Sequence, residues 1–436
     1  MTATNPLSGS ERALGGVTTD FVADSPDLLA RWDEHQAWWD ERLQHRVDPF
    51  ARTTLGPIST ECETRTRDGA TYAGVNFASQ DYLNLASHDA VRAAAKATID
   101  RFGVHSAGSA ALMGNTSASV LLESALANFL GYRDCIVFPT GWGAGYGTVK
   151  TLVRPTDHIV IDVLAHACLQ EGAHNATRNV HTFPHLSNAA VERRLRRLRQ
   201  ADTEAGILVV TESVFSMDSD VPDLAELQAI CTKYGATLLV DVAHDLGAIG
   251  AAGGGYLERQ GMVGSVDLVM GSFSKTFASN GGFVATNQPA LRRALLCRCG
   301  PLMFTNAISP VQATIVSTAL DIIRSSEGAE LRERLMRNIL YMRKRLEEES
   351  FEVMGAPSAI VPVLLGTSRF ARLITRFALE GGALVNSVEY PGVSRNSCRW
   401  RIQMMANHTI DQIERFIDIA KNARERVERD DVLEPT

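Results

Sequence analysis

The stretch Val269-Met270-Gly271-Ser272-Phe273-Ser274-Lys275-Thr276-Phe277, followed by Asn280-Gly281-Gly282-Phe283-Val284, decides how the chain is read. It has an apolar lead-in, a small hydroxyl cluster, one lysine, then glycines and a second apolar segment. A lysine in that company has two readings. One is an ordinary surface residue in a Ser/Gly loop. The other is an amine at the floor of a site, able to condense with an aldehyde cofactor. The residues upstream separate the two.

Upstream, short apolar runs alternate with helical patterns. Strands are expected at Cys135–Phe138, His158–Asp162, Gly206–Thr211, Thr237–Val240, Leu268–Met270 and Phe283–Thr286. Helices are expected at Asp89–Phe102, Ser117–Leu130, Gly143–Leu152, Val191–Arg199 and Leu224–Tyr234, with Leu121, Leu122, Leu126 and Phe129 sharing a face of the second. Alternation of this kind predicts an α/β fold, a mostly parallel sheet with helices on both faces. Sites on such sheets lie at the C-terminal ends of the strands.

Four motifs fall at those ends. Pro139-Thr140-Gly141-Trp142-Gly143-Ala144-Gly145 opens a helix, where backbone N–H groups and the helix N-terminus favour a phosphate; a plain strand-to-helix turn is the other reading. His166, after the next strand, is either a structural histidine or a ring that stacks on a flat cofactor. Glu212 and Ser216 end a third strand as rim groups or turn caps. Asp241, three residues before His244, is either an N-cap or the partner of a protonated pyridine nitrogen. Together with Lys275 these supply, in order, the phosphate anchor, ring clamp, pyridinium partner and amine that pyridoxal 5'-phosphate (PLP) requires.

On these residues the chain resembles the α-oxoamine synthase family of fold-type I PLP enzymes. The resemblance runs from about Asp48 to about Ala420. It is carried by Asp81-Tyr82-Leu83-Asn84-Leu85, Leu164-Ala165-His166-Ala167, Thr211-Glu212-Ser213-Val214-Phe215-Ser216-Met217-Asp218, Asp241-Val242-Ala243-His244, Gly271-Ser272-Phe273-Ser274-Lys275 and Arg399-Trp400-Arg401-Ile402. It implies a decarboxylating Claisen-type condensation of an α-amino acid with an acyl-CoA or acyl-carrier-protein thioester, giving an α-amino ketone. It implies Lys275 as the Schiff-base lysine and proton carrier, His166 as the stacked ring and Asp241 as the pyridinium partner. Trp142, Gly143 and Ser272 match phosphate contacts, His244 and Ser216 groups near the phenolic oxygen, and Glu212 an acid lining the site. Arg401 best matches the arginine that holds the substrate carboxylate, with Arg399 on the same strand face as the alternative, and Gln80 stands at a substrate position. The family forms homodimers with shared sites, so Thr305 and Asn306 match a phosphate contact supplied to the neighbouring subunit. The rival readings are another PLP reaction on the same fold, such as transamination or lyase chemistry, and a non-catalytic binding scaffold.

The departures lie around the substrate. Gln80 stands where several members have Asn, Asn84 where they have Gly, and Asp245-Leu246-Gly247 where Gly-Thr-Gly is usual. His105–Ala110 lacks an arginine often found in that glycine loop, and Gly392 replaces a threonine.

Three parts are expected: an N-terminal arm with a helix and hairpin (1–75), a large PLP-binding domain (76–312) and a small α+β C-terminal domain (313–436). Residues 1 to about 24 read as poorly ordered, Leu28–Arg46 as an amphipathic helix that docks on the body or on a second subunit, and Asp68-Gly69 as a hairpin turn. Pro310–Glu348 reads as one or two long helices. Strands at Ile360–Leu365, Ala383–Asn386 and Arg399–Met404 and helices at Phe370–Leu379 and Ile410–Val427 follow, with a polar tail from Asp430. The net charge of −7 gives no electrostatic case for nucleic acid. The arginines of Glu192–Arg199 read as a solvated helix face. The seven scattered cysteines suit a reduced, cytoplasmic protein; Cys297-x-Cys299 alone is poor metal-site spacing, and no metal is expected. No apolar run is long enough to span a bilayer.

Overall fold

The computed structural model describes residues 11–432, with side chains to 429. The last helix runs Ile410–Val432, through the start of the expected polar tail; the rest of that tail and the first ten residues lie outside the described part. The chain divides into two compact units. One holds Gln80–Ser216 and Asp220–Arg334; the other holds the N-terminal residues to Ser79, Met217–Ser219 and the segment from Leu335. The N-terminal arm therefore clusters with the C-terminal segment, and helix Pro310–Arg324 stays with the large unit.

The large unit is built on a seven-stranded sheet in the order Asp134–Phe138, Gly282–Thr286, Leu268–Ser272, Thr237–Asp241, Ile207–Glu212, His158–Asp162, Val180–Phe183. Gly282–Thr286 is antiparallel to both neighbours, and the other pairings are parallel. Every residue of Ile207–Glu212 is buried, as a strand covered by helices on both faces must be. Each fully buried Val or Ile there contributes about 1.5–3 kcal/mol relative to exposure. On one face Ile161, Val210, Leu239, Met270 and Val284 meet helix residues such as Val149 and Leu169 in one apolar cluster.

The register places the chemistry. Glu212 pairs with Asp241, and Asp241 with Met270, so the acidic strand ends stand side by side. Helices Asp89–Phe102 and Ser117–Leu130 form as expected. The buried face of the second is Leu122, Glu123, Leu126, Ala127 and Leu130, whereas Leu121 is exposed. Glu123 replaces it on that face because its carboxylate pairs with Arg292 at 2.5 Å and accepts from the Val137 N–H at 3.1 Å. Helix Ala167–Ala176 and edge strand Val180–Phe183 are additions to the expected elements. Leu195 of the arginine-rich helix is buried, as its spacing predicts.

In the smaller unit, Glu61–Arg65 and Thr71–Asn76 form the expected hairpin, flanked by Thr53–Thr54 and Ala383–Leu384. Gly69 takes a φ of 89° in its turn. A second sheet runs Ile360–Gly366, Cys398–Gln403, Ser387–Val388. The expected strand over Ala383–Asn386 is only Ala383–Leu384, and Ser387–Val388, just beyond it, is a separate strand of the second sheet. Residues 11–24 are not the loose segment expected. Glu11–Gly15 is helical with Ala13 and Leu14 buried, because the buried Arg372 donates to both their carbonyls at 2.9 and 2.8 Å. Asp33–Gln44 is the expected arm helix, anchored by Trp38, whose indole N–H donates to the Arg12 carbonyl.

Candidate active site

Lys275 stands on the loop between antiparallel strands Leu268–Ser272 and Gly282–Thr286. The buried rings of Phe273, Phe277 and Phe283 pin that loop, with Phe273 5.7 Å from Phe277 and 5.6 Å from Phe283. Gly271 is required beneath them, since a Cβ there would come within 2.6 Å of the Phe283 ring. The lysine is thus fixed by packing and lines a cavity of ≈ 250 Å³. Thr140, Gly141, Trp142, His166, Cys168, Glu212, Asp241, His244, Ser272 and Ser274 line it too.

Asp241 and Glu212 are buried acids one strand apart. Burial raises the carboxyl of Asp241, opposed by Lys275 and by a bond from the Ala243 N–H. Glu212 is raised well above the ordinary carboxylate range, first by burial and then by Asp241. Two buried acids beside one amine leave the ionised form of the second acid without a cation to stabilise it. A cationic ring nitrogen corrects that shortfall.

Glu212 accepts the backbone N–H of His166 at 2.6 Å, which fixes the histidine's entry to helix Ala167–Ala176. His166 caps that helix with its ring, Nδ1 accepting the Cys168 N–H at 3.2 Å. A backbone N–H only donates, so Nδ1 carries no proton and the neutral ring holds its proton on Nε2. The Cys168 thiol lies 3.1 Å from the same nitrogen, and burial pushes it far above its ordinary range, keeping it a thiol. Trp142 meets His166 edge-on at 6.0 Å.

Helix Gly141–Leu152 points its N-terminus at the cavity. Thr140 Oγ1 accepts the Gly143 N–H at 2.9 Å. A Cβ on Gly141 would fall 2.5 Å from Ser272 Oγ, so only glycine lets that hydroxyl reach the helix end. Ser272 and Ser274 hydroxyls lie 2.8 Å apart. Two hydroxyls at a helix N-terminus suit a phosphate. The amine, the acid pair and this cradle share one cavity, and the donor set fits PLP.

The remaining expected residues are placed differently. Gly143 is engaged in the helix cap, and Gln80, Ser216, Thr305 and Asn306 are not among the cavity's lining residues. Asn306 is exposed and bonds His105 at 3.0 Å. Arg399 and Arg401 lie on strand Cys398–Gln403 of the smaller unit. Arg399 is buried and paired with Asp218, while Arg401 is half-buried. Three further residues belong to the site region. Ser274 lines the cavity, its signal being the second hydroxyl of the lysine loop. Tyr82 bonds His244 Nδ1 at 3.0 Å from the Asp81-Tyr82-Leu83 motif. Asp245 is fully buried, bonded to Ser213 Oγ and the Tyr256 N–H, both at 2.6 Å, and burial pushes its carboxyl up to about 7. Asn84 takes a φ of 58°, the left-handed conformation that explains why it can stand for glycine.

A family model for aminotransferases of class I and II matches residues 73–419. The 8-amino-7-oxononanoate synthase of Geobacter sulfurreducens is 34% identical over 343 residues, covering 79% of this chain and 87% of that one. The serine palmitoyltransferase of Sphingomonas paucimobilis is 32% identical over 406 residues, covering 92% and 94%. A solved structure of SPT with PLP as the internal aldimine superposes with a TM-score of 0.86 at 32% identity, over 92% of this chain and 99% of that one. The chain belongs to the aminotransferase class I and II family, as an α-oxoamine synthase of the fold-type I PLP enzymes.

Proposed function

We propose that this PLP-dependent acyltransferase works through Lys275, Asp241 and His166, joining an α-amino acid to an acyl thioester with loss of carbon dioxide. The observation that carries the assignment of roles is that these three line one cavity with the serine hydroxyls of the lysine loop. PLP supplies an aldehyde that captures the amino group and a ring that takes up negative charge from the α-carbon.

Lys275 Nζ takes the α-proton, held in place by its pinned loop. Asp241 keeps a proton on the ring nitrogen by opposite charge at close range. His166, which lines the cavity, would stack on the ring and offer its Nε2–H to the acyl oxygen or the substrate carboxylate as charge grows there. Glu212 and Cys168 position that imidazole through its backbone N–H and Nδ1. Trp142 and Ser272 would hold the phosphate, with Ser274 in the same cavity and Gly143 supporting the helix end through its bond to Thr140; His244, bonded to Tyr82, and Ser216 would serve the phenolic oxygen. Arg401, which best matches the family's carboxylate-binding arginine, grips the substrate carboxylate, with Arg399 on the same strand as the alternative. Gln80 contacts substrate. The acyl carrier is coenzyme A or a carrier-protein phosphopantetheine.

The active form is a homodimer in which Thr305 and Asn306 reach the neighbouring site. The support is a set of exposed apolar side chains on the large unit, Leu112, Met113 and Phe304, each more than 80% exposed. We assign it to the cytoplasm, in keeping with seven free cysteines. Among the described residues no helix is long and apolar enough to cross a membrane.

Carboxyl-labelled amino acids incubated with acyl-CoA test the reaction. Free thiol and labelled carbon dioxide are expected in equal amounts. A keto acid formed without thiol identifies transamination instead.

A further inference from the structure

His185 lies two residues beyond edge strand Val180–Phe183 of the large unit. Both of its ring nitrogens face a carboxyl group. Nδ1 is 2.9 Å from Asp162 Oδ1, and Nε2 is 3.2 Å from Asp220 Oδ2. An ionised carboxylate only accepts, so both nitrogens donate and the ring is an imidazolium. Burial works against that charge. The bonds and charges of Asp162 and Asp220 outweigh it and hold the ring's proton above the ordinary range. Among the described residues no lysine or arginine pairs with either acid. The buried ring of Phe215 meets the imidazole edge-on at 4.5 Å.

Each acid holds one approach to His166. Asp162 is the buried end of strand His158–Asp162. Its carboxyl accepts the Leu164 N–H at 2.9 Å and the Leu186 N–H at 3.0 Å. Its carbonyl accepts the Ala165 N–H at 3.0 Å and the Gln170 amide at 2.9 Å. These bonds shape the turn that leads straight into His166. On the other side, the Asp220 carbonyl accepts the Phe215 N–H at 3.0 Å and closes the turn after Glu212. Glu212 in turn holds the His166 N–H. Without the imidazolium, Asp162 is a buried charge with no partner, a costly state that its turn can relieve only by moving. The charge of Asp162 also reaches Glu212 and adds to the forces that raise that carboxyl.

We propose that His185 is a positioning residue for the reaction, bridging Asp162 and Asp220 so that the turn between them and the cavity presents His166 in a fixed orientation. His185 is not among the cavity's lining residues, so it acts through that turn and touches no reacting atom. The inference rests on the role given to His166 above.

The test combines NMR of isotope-labelled histidine with pH profiles, both on PLP-loaded protein. His185 is expected to titrate above its ordinary value of 6.5, and the His166 signal to inflect at the same pH. The parent's kcat is expected to fall as pH rises through that midpoint, where the bridge loses its proton. His185→Gln is expected to remove both the His166 inflection and that step in kcat, to lower kcat roughly 10- to 100-fold, and to leave PLP affinity unchanged. Asp220→Asn removes one acid at a partly exposed position, and is expected to move the His185 midpoint and the step in kcat together to lower pH. Near-UV circular dichroism identifies which variants fold, and the parent's own titration decides the matter where one does not. A His166 signal that ignores the His185 titration, or a folded His185→Gln with the parent's kcat and pH profile, overturns the proposal. A parent that releases no thiol refutes the reaction instead, and the coupling of the two histidine signals still decides the role of His185.

Discussion

Two clusters of buried acids differ in what holds them. Glu212 and Asp241, at adjacent strand ends of the large unit, face one lysine, and burial raises both carboxyls. Asp48 and Glu389, in the smaller unit, are matched by Arg42 and Arg372, although burial raises the Asp48 carboxyl too. The second cluster closes its own charge and holds the N-terminal segment in place through the Ala13 and Leu14 carbonyls. The first is left incomplete. A protein keeps such a shortfall where a ligand supplies the missing charge, and strongly shifted acids in a cleft are the mark of it.

If that contrast is right, substitutions in the two clusters should fail in different ways. Lys275→Ala should lower condensation by roughly 10⁴-fold or more, since it removes both the amine and the proton carrier, while the unfolding midpoint of the apo form changes little. Assays of thiol release beside thermal melts will show it. Arg372→Met should do the reverse. Removing one partner of a buried ion pair costs about 3–5 kcal/mol, read by denaturant unfolding, with PLP affinity retained in the folded fraction. Equal losses of PLP binding in both variants would break the comparison.

Asp241→Asn should reduce turnover by about 100-fold, the scale of one misplaced electrostatic partner, and leave PLP bound. Asp245→Asn sharpens the picture with the smallest effect. The carboxyl of Asp245 is raised from 3.8 to about 7, chiefly by burial. The folded chain therefore holds this proton when the unfolded chain has released it. Its stabilising contribution is complete below pH 3.8 and is lost as pH rises through about 7. Unfolding free energy measured from pH 4 to 8 should fall less steeply in the variant than in the parent.

The large unit was legible because fully buried parallel strands write themselves as continuous apolar runs ending in polar residues. His158–Asp162 and Thr237–Asp241 announce both the sheet and the site in this way. Edge strand Val180–Phe183 carries a weaker signal, for it is short and only Phe183 is buried. Leu121 shows the limit of periodicity on a helix. Glu123 takes the buried face there only because Arg292, distant in sequence, is present to pair with it. The burial of Ala13 and Leu14 is supported by Arg372 in the same way. Arg399 and Arg401 share a strand face, and spacing treats them alike. The ion pair of Arg399 with Asp218, from another part of the chain, could not be read from spacing. What the sequence hides throughout is the partner that a buried polar group finds far along the chain.

The most direct measurement is to load the protein with PLP, reduce it with borohydride and map the modified peptide by mass spectrometry. The expected result is one pyridoxyl group per chain, on Lys275, lost in Lys275→Ala. Modification spread over surface lysines, or none at all, would contradict the assignment of the cavity at the end of strand Leu268–Ser272 as the cofactor site.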